Sequence, residues 1–421
     1  MDKYIEIQKA NYINLKKGIS ESSKILLKNV GGNYLIHEGD IDRDKESAVS
    51  KYKGLGEYIC PGFVDIQCSI ADYTRPDFSI SWNELLCAHK GGYTTVCPTP
   101  VWDKFFDKKD NIKVYLKEIK RYKGIEIIPC LPVPKRRNAD KTWGFAFLAE
   151  LGVRVISDGG KYLSNDVMRE VMAECAANDM LFICSTHDPA LIQDGCVNSP
   201  MMAKHLKVGV IPSSPELCAI ARGIIFSAET GCRVHFTNVS LARSCEMIKN
   251  AKSAGVKVSA STAPQYFTCD ENEVLYRGAK AKLYPPLRKT EDVEAVRLAI
   301  GSGVIDCIST DNTPLPPGHK ADLASAKFGS VGFETAFSAS YTGLVATGVI
   351  SIFRLIDAMS VMPRRILFGD CGMPDSNGYI AIDPDAKHFY SKNSVKSNCW
   401  NSVFDGRDLR GVVKRNFNQL S

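Results

Sequence analysis

Short, β-rich apolar runs recur along the chain, and a stretch with helical spacing follows most of them. The eight runs are Phe63–Ile70, Tyr93–Thr99, Ile125–Leu131, Val153–Asp158, Leu181–Thr186, Cys232–Val239, Val256–Ala263 and Ile305–Asp311. The helical stretches are Trp82–Lys90, Ile112–Tyr122, Asp166–Asn178, Ser214–Thr230, Leu241–Ala254 and Thr290–Ser302. Strands that alternate with helices indicate a parallel sheet, and eight such units predict an α/β fold closed into a TIM-type (β/α)8 barrel.

An open, doubly wound sheet is the structural alternative, because it is assembled from the same strand–helix units. Sheets of that kind that bind nucleotides carry a glycine-rich phosphate loop after the first strand. Here the first run continues as Asp65-Ile66-Gln67-Cys68-Ser69, which is no such loop. The sequence therefore favours the barrel.

The two chain ends differ from the region between them. Residues 1–57 contain short strand-like pieces joined by polar, charged turns, and the tail after about Gly369 resembles them. The predicted strands are Tyr4–Leu15, Lys24–Leu26, Asn33–His37, Gly378–Ile382, Trp400–Val403 and Gly411–Lys414. We predict a small β-module built from residues 1–57 and 370–421, which flanks a barrel at residues 58–369.

Composition limits the partners and the compartment. The net charge is only +6, and the short cluster Lys135-Arg136-Arg137 is typical of a solvated loop, so no nucleic-acid partner is expected. No segment reaches the roughly 18 apolar residues that cross a bilayer, and the N-terminus lacks a signal-peptide core. The 15 cysteines are scattered, without a CxxC pair, and several lie inside apolar runs. We expect a reduced, cytoplasmic protein with no membrane partner.

Polar residues gather where the predicted strands end, and active sites of such barrels lie at this end. Asp158 and Asp311 are the two carboxylates that follow a run directly. A carboxylate at a barrel mouth serves as a metal ligand or a general base. It also serves, equally well, to cap the turn or helix that follows. The residues alone leave both interpretations of Asp158 and Asp311 open.

Several ordered motifs resemble the dihydroorotases of the amidohydrolase superfamily. They are Pro61-Gly62-Phe63-Val64-Asp65-Ile66, Gly91-Gly92-Tyr93-Thr94-Thr95-Val96, Val239-Ser240, Tyr284-Pro285-Pro286-Leu287-Arg288, Ser309-Thr310-Asp311-Asn312-Thr313-Pro314 and 328–337. They extend over the barrel from about residue 57 to residue 369. The resemblance implies two histidines at the end of the first strand, further histidines after strands five and six, and an aspartate after strand eight. In the family these residues hold one or two zinc ions, which activate the hydrolytic water.

This chain keeps little of that metal site. The resemblance places the four histidine positions on Gln67, Ser69, Ser185 and Asn238. The aspartate ligand is kept as Asp311, and Asp158 stands near the family's bridging carboxylate. These positions are interpreted as vestigial metal-ligand positions.

The positions that the resemblance assigns to substrate binding differ as well. The family's arginine after the first-strand motif falls on Ala71, and its asparagine after strand two falls on Val101. Tyr284 stands where the family has an asparagine, and Asn312 stands where it has a histidine. The resemblance therefore implies that the anionic carboxylate of dihydroorotate loses its arginine and its amide donors together.

Another metal site would need three or four ligands from imidazole, thiolate or carboxylate groups. Of the seven histidines, only His187 and His235 lie near strand ends. His187 follows Ser185 by two residues and shares its side of an extended chain, so it is a possible residual ligand. His235 precedes Asn238 by three residues and is predicted to point toward the helices. We expect no metal, with zinc as the alternative.

Three functions remain open. Some dihydroorotase homologues that lost their metal ligands persist as non-catalytic partners of aspartate transcarbamoylase, the preceding enzyme of pyrimidine synthesis. The resemblance thus implies a structural or regulatory partner of that enzyme, or a homo-oligomer. The second hypothesis is an active amidohydrolase of cyclic amides with a rearranged site that uses His187, Asp188, Asp158 and Asp311. The third is a barrel that senses a metabolite.

Overall fold

The computed structural model describes residues 4–15, 18–37, 49–54, 56–71, 79–100, 104–133, 144–369 and 376–421. The basic cluster at residues 135–137 and the predicted substrate position Val101 lie outside these ranges.

Each of the eight predicted apolar runs contains a strand of a parallel barrel wall, so the predicted fold class is confirmed. The strands are Phe63–Cys68, Tyr93–Pro98, Glu126–Ile127 with Cys130–Pro132, Val155–Ser157, Leu181–Ser185, Arg233–Thr237, Val258–Thr262 and Cys307–Ile308. A separate two-stranded ladder is formed by Gly195–Val197 and Gly209–Val210.

The wall is interrupted once and closes through a few contacts. The third strand breaks at Ile128 and Pro129, where proline has no N–H to donate. Between the last strand and the first, the hydroxyl of Thr310 donates to the carboxylate of Asp65, and the backbone N–H of Ser69 donates to the Asn312 carbonyl at 2.7 Å. These bonds join the two barrel edges beside the carboxyl end, where the candidate site lies.

The helices lie outside the wall. Their bounds are Trp82–Lys90, Lys109–Ile119, Phe145–Glu150, Asn165–Ala177, Pro200–Leu206, Ser214–Thr230, Ala242–Ser253, Gln265–Thr268, Glu273–Arg277, Thr290–Gly301, Ala336–Ser340, Ile352–Ile356 and Met362–Phe368. Five of the six predicted helices begin and end within one residue of these bounds. The second is displaced by three residues, and Tyr122, at its predicted end, instead stacks on Trp82 with ring centroids 6.2 Å apart.

Apolar side chains from most strands fill the barrel interior below the mouth. The buried members of this interior cluster are Val64, Ile66, Cys97, Ile128, Cys130, Val155, Leu181, Ile183, Cys307 and Leu367. A larger core fills the space between the strands and the surrounding helices. Because these apolar groups occupy much of the lower interior, the carboxyl end is the place for a polar site.

The two chain ends form one β-module. Its strands are Tyr4–Asn14, Gly18–Val30, Asn33–Ile36, Val49–Lys53, Tyr58–Pro61, Tyr379–Tyr390 and Arg407–Asn416. The strand Tyr58–Pro61 lies in this sheet and leads directly into the first barrel strand, so the sheet extends past residue 57.

The strand predicted at Trp400–Val403 is wrong. The Asn401 side chain donates to the Thr313 carbonyl at 2.9 Å and accepts from the Leu315 N–H at 3.1 Å. The N–H of Val403 donates to the hydroxyl of Ser330. This segment therefore bonds to the loop that follows the last barrel strand, and not to a neighbouring strand.

Within the described part of the chain, no helix combines the length and apolar character that crossing a membrane requires. The described cysteines are unpaired, and most are buried, which agrees with their interpretation as small apolar residues.

Candidate functional site at the barrel mouth

The centre of the barrel mouth is the carboxylate of Asp311. Its Oδ1 accepts from the side-chain amides of Asn238 at 2.8 Å and Gln67 at 3.4 Å. Its Oδ2 accepts from the Gln265 amide at 3.2 Å and from the Tyr266 hydroxyl at 3.4 Å. The structure thus brings together three of the predicted positions, Gln67, Asn238 and Asp311. Asp311 and its four donors, Gln67, Asn238, Gln265 and Tyr266, are called the Asp311 cluster.

Two acceptors of the Asp311 cluster have no donor among the residues that the structure describes. They are the side-chain oxygens of Gln67 and Asn238, and both are buried. The nitrogen of each amide is directed at Asp311, which leaves its oxygen for another partner. Buried acceptors usually meet a protein donor or an ordered water, so the cluster has unused capacity for N–H or O–H donors.

Burial raises the pKa of Asp311 to about 7, although hydrogen bonds from Asn238, Tyr266 and Gln265 favour the charged form. The donors around it are neutral amides and a phenol, and neutral donors offset the loss of hydration only in part. Asn238 and Asp311 also hold a left-handed backbone, with φ of 61° and 54°. Asn and Asp tolerate this conformation better than other non-glycine residues, and such outliers often mark functional positions.

A second carboxylate cluster lies at the ends of strands four and five. The Ser185 hydroxyl donates to Asp158 Oδ1 at 2.6 Å, and the Ser185 N–H donates to Oδ2 at 3.0 Å. The Gly160 N–H donates to the same carboxylate at 3.0 Å. Burial raises the pKa of Asp158 to about 6. Asp158 therefore binds its neighbouring strand and closes its own turn, as the capping interpretation predicts.

His187 lies beside this second cluster. Its Nε2 is 3.0 Å from the Gly160 carbonyl oxygen, and its ring meets the Tyr284 ring edge-on at 4.5 Å between centroids. Burial lowers its pKa to about 4, so the imidazole is neutral near pH 7. The carboxylate of Asp188 accepts from the Ala190 N–H at 3.0 Å and caps a short 3-10 turn. His187 and Asp188 are thus bound to neighbouring loop groups, and a ligand role for His187 stays a prediction.

The predicted direction of His235 is wrong. His235 pairs in register with Ile183, which belongs to the interior cluster, and paired residues of parallel strands face the same side. Its two ring nitrogens lie 2.9 Å from the Ser259 hydroxyl and 3.1 Å from the Ser261 hydroxyl. The left-handed backbone at Asn238 breaks the strand alternation, so counting back from Asn238 gives the wrong face. Burial lowers the pKa of His235 to about 3.

The remaining predicted positions make other contacts. The amide of Asn312 donates to the Ser69 carbonyl at 3.0 Å and to buried Glu84 at 2.9 Å, so it fastens the loop around the first strand. The hydroxyl of Ser69 accepts from the N–H of Ala71 at 3.5 Å. Tyr284 lies between the rings of His187 and Phe328. Val101 falls outside the described residues.

The residues present do not fit zinc. No group of three His, Cys, Asp or Glu side chains with metal-binding geometry exists within the described ranges. Both oxygens of Asp311 already accept hydrogen bonds, and amides are poor substitutes for the imidazole or thiolate ligands of zinc. Whether Gln67, Ser69, Ser185 and Asn238 descend from metal ligands stays a prediction.

Sequence reasoning missed Gln265 and Tyr266. Both follow the seventh strand, in the short helix Gln265–Thr268, so the rule that strand ends carry the site could have found them. It also missed the buried ion pair of Arg288 and Glu216, whose Nη2 and Oε2 are 3.3 Å apart. Glu216 accepts from the N–H groups of Ser240 and Leu241 and fixes the loop after strand six behind the site.

Comparisons with known proteins agree with the fold and the motifs. A family model described as Dihydro-orotase-like matches residues 56–244. A dihydroorotase of Elusimicrobium minutum is 31% identical over 420 residues, which cover 99% of this chain and 96% of that protein. The chain belongs to the dihydroorotase family. A second relative, a dihydroorotase of a Thermoanaerobacter species, is 32% identical over 363 residues, 85% of this chain and 84% of its own.

Solved structures of two hydantoinases share the fold of this dihydroorotase-family chain. A D-hydantoinase from a Bacillus species superposes with a TM-score of 0.80 at 17% identity, over 99% of this chain and 95% of that chain. An L-hydantoinase from Arthrobacter aurescens gives 0.79 at 19% identity over the same shares. At these identities the likeness concerns the fold alone.

Proposed function

We propose that this dihydroorotase-family chain does not hydrolyse dihydroorotate and is a structural or regulatory partner of aspartate transcarbamoylase in pyrimidine biosynthesis. The proposed lack of activity rests on the hydrogen bonding of Asp311. Its carboxylate accepts from two amides on one oxygen and from an amide and a phenol on the other. A carboxylate in this state serves the packing of the mouth.

Amide hydrolysis needs both a nucleophile and polarisation of the carbonyl group. Water without a metal keeps a pKa near 15.7, so hydroxide is scarce at neutral pH. Asp311 alone supplies a base, but its described hydrogen-bond partners are amides and a phenol, and none of them is a cation or an imidazole that could polarise the amide oxygen. This argument supports a mouth without dihydroorotase activity.

The partner half of the proposal rests on the resemblance to dihydroorotase homologues that accompany aspartate transcarbamoylase. It includes a cytoplasmic location, and a homo-oligomer is the other assembly that this half allows. Retention of the whole barrel and β-module fits a scaffolding role, because a docking surface needs the fold but not the metal.

The first experiment measures zinc content and turnover together. The protein is purified without chelators, its zinc is quantified by mass spectrometry, and turnover of dihydroorotate and carbamoyl aspartate is assayed with and without added zinc. An active dihydroorotase, purified and assayed identically, is the control. We expect zinc far below one equivalent and no turnover above background. Zinc near one equivalent with measurable turnover would overturn the proposal.

The second experiment tests the partner. The chain is mixed with aspartate transcarbamoylase of the same organism and analysed by size-exclusion chromatography with light scattering. We expect a co-eluting complex. Elution of the two proteins at their separate masses, at concentrations of tens of micromolar, would contradict the partner role even if the first experiment finds no activity.

A second candidate function is an active hydrolase of cyclic amides with a rearranged site. Two observations favour it: Asp311 and Asp158 have pKa values of about 7 and about 6, which suit general bases, and the relatives with 31% and 32% identity are dihydroorotases. The turnover assay discriminates the two candidates. Hydrolysis of a cyclic amide that is abolished in Asp311→Asn would establish this candidate, and the zinc content would show whether its rearranged site holds a metal.

A further inference from the structure

Two lysines lie close together in the loops beside the barrel mouth. Lys282 precedes the motif at Tyr284, and its side chain is buried, with only 5% of the residue exposed. Its Nζ donates to the Ala324 carbonyl at 2.7 Å and lies 5.0 Å from the centre of the Phe328 ring. Lys320, in the loop after the last strand, donates through Nζ to the Lys282 carbonyl at 2.7 Å.

The ammonium groups of Lys282 and Lys320 form no ion pair with the carboxylates that the structure describes. Among the described residues, no carboxylate oxygen lies within 4.0 Å of either Nζ, although other lysines of the chain form such pairs. Hydrogen bonds from the N–H and the hydroxyl of Ser325 lower the pKa of the solvent-exposed Asp322, and the charge of nearby Lys282 is a lesser cause. Lysines are rarely buried unless paired, so the pair has capacity for an anion.

A row of rings connects this lysine pair to the barrel mouth. Phe328, which lies under Lys282, meets the ring of Tyr284 with centroids 5.4 Å apart. Tyr284 in turn contacts the ring of His187 at 4.5 Å. A ligand held by the lysines would therefore lie against this row of rings.

We propose that Lys282 and Lys320 form an anion-binding site at the rim of the barrel mouth, which takes a compact oxyanion of a small metabolite, either a phosphate or a carboxylate group. The site does not depend on whether the chain hydrolyses an amide. Its two lysines belong to the segments that follow the seventh and the last barrel strands, whereas Ala71, where the family resemblance implies an arginine, follows the first strand.

The electrostatics agree with this geometry. Burial, and then the charge of neighbouring Lys282, lower the pKa of Lys320 to about 7. An anion between the two ammonium groups would favour the charged form of Lys320 and raise its pKa again. The protonated pair also has N–H groups in excess of its two carbonyl acceptors, so binding does not require existing hydrogen bonds to break.

The test uses isothermal titration calorimetry with two probes, inorganic phosphate and succinate, at constant ionic strength. Three single variants are compared with the wild-type protein: Lys282→Met, Lys320→Met and Lys327→Met. Lys327 is exposed in the same loop, so its replacement removes the same charge without touching the pair. We expect binding of at least one probe, unchanged in Lys327→Met and weakened about tenfold or more in the other two.

Phosphate binding alone assigns the site to phosphorylated ligands, and succinate binding alone assigns it to carboxylates. No binding of either probe to the wild-type protein, or equal binding to all variants, would overturn the proposal. If Lys282→Met does not fold, Lys320→Met decides the question. A second readout is the pKa of Lys320, followed by NMR of reductively 13C-methylated lysines, which must rise when the bound probe is present.

Discussion

Asn238 donates its side-chain amide to Asp311 across 2.8 Å, and both residues hold a left-handed backbone. The family resemblance places a histidine at the first position and retains the aspartate at the second, with zinc between them. Here the two side chains bond directly. The two positions that the resemblance assigns to metal binding are therefore part of the protein's own hydrogen-bond network. Loss of this contact should lower the stability of the fold.

Replacement of Asp311 by alanine should lower the free energy of unfolding by about 3 kcal/mol or more, since several buried donors lose their acceptor at once. Alanine also tolerates the left-handed backbone poorly. Asp311→Asn keeps the shape and one acceptor, and should lower it by about 1 kcal/mol. Urea denaturation measures both values. Asp385→Ala, at an exposed position, should stay within about 0.5 kcal/mol of the wild type. Equal stability of Asp311→Ala and Asp385→Ala would show that the cluster does not stabilise the fold.

The sequence predicted the barrel well because strand and helix patterns are local. Trp82–Lys90 and Ser214–Thr230 have the bounds that their helical spacing predicts. The wrong predictions concern segments whose structure depends on tertiary contacts. At Trp400–Val403, side-chain bonds to the loop after the last strand replaced strand pairing. Nothing in the local pattern of that segment distinguishes a strand from an anchored loop.

The candidate site was predicted in part. The strand-end rule found Asp311, and the family resemblance pointed to Gln67 and Asn238. The three lie together because the carboxyl ends of parallel strands meet at one edge. Counting back along the strand from Asn238 gave the wrong face for His235, because side chains do not alternate regularly next to a residue with φ of 61°. The rule was applied to the strand ends themselves, so it missed Gln265 and Tyr266, the two donors in the short helix that follows the seventh strand.

The pH dependence of stability should reveal the raised pKa of Asp158. Its pKa is about 6 in the folded chain and near 3.8 when unfolded, so the folded state holds the proton more tightly. The resulting stabilisation is fully present below about pH 4 and is lost as the pH rises to about 6. Asp158→Asn removes this loss. The wild type should therefore lose up to about 1.4 kcal/mol more per pH unit than the variant across this window. Parallel stability–pH curves from urea denaturation would contradict the assignment.

His187 should give the opposite slope over nearly the same range. Burial lowers its pKa to about 4 in the folded chain, from about 6.5 when unfolded, so the unfolded state binds the proton more tightly. The stability of the neutral ring is present above pH 6.5 and is lost as the pH falls toward 4. His187→Phe keeps a ring against Tyr284 and removes the titration, so its acid loss should be smaller. An NMR titration of the His187 ring with a midpoint above pH 6 would be incompatible with this prediction.

Restoring four histidines tests whether the missing ligands alone explain the missing activity. In the variant Gln67→His, Ser69→His, Ser185→His and Asn238→His, two of the donors to Asp311 are removed, which leaves its Oδ1 available. Such a site offers imidazole and carboxylate ligands of the kind that zinc prefers. We expect zinc uptake near one or two equivalents, measured by mass spectrometry.

We expect no dihydroorotase turnover from this four-site variant. The resemblance implies that the substrate carboxylate needs an arginine and an asparagine at the positions of Ala71 and Val101, and zinc does not replace those contacts. Adding Ala71→Arg and Val101→Asn to the variant is the matched comparison, and a gain in kcat/KM on that step alone would assign the deficit to substrate binding. Substantial turnover of the four-site variant itself would show instead that metal loss is the whole cause, because the chain would then bind and orient dihydroorotate without the arginine.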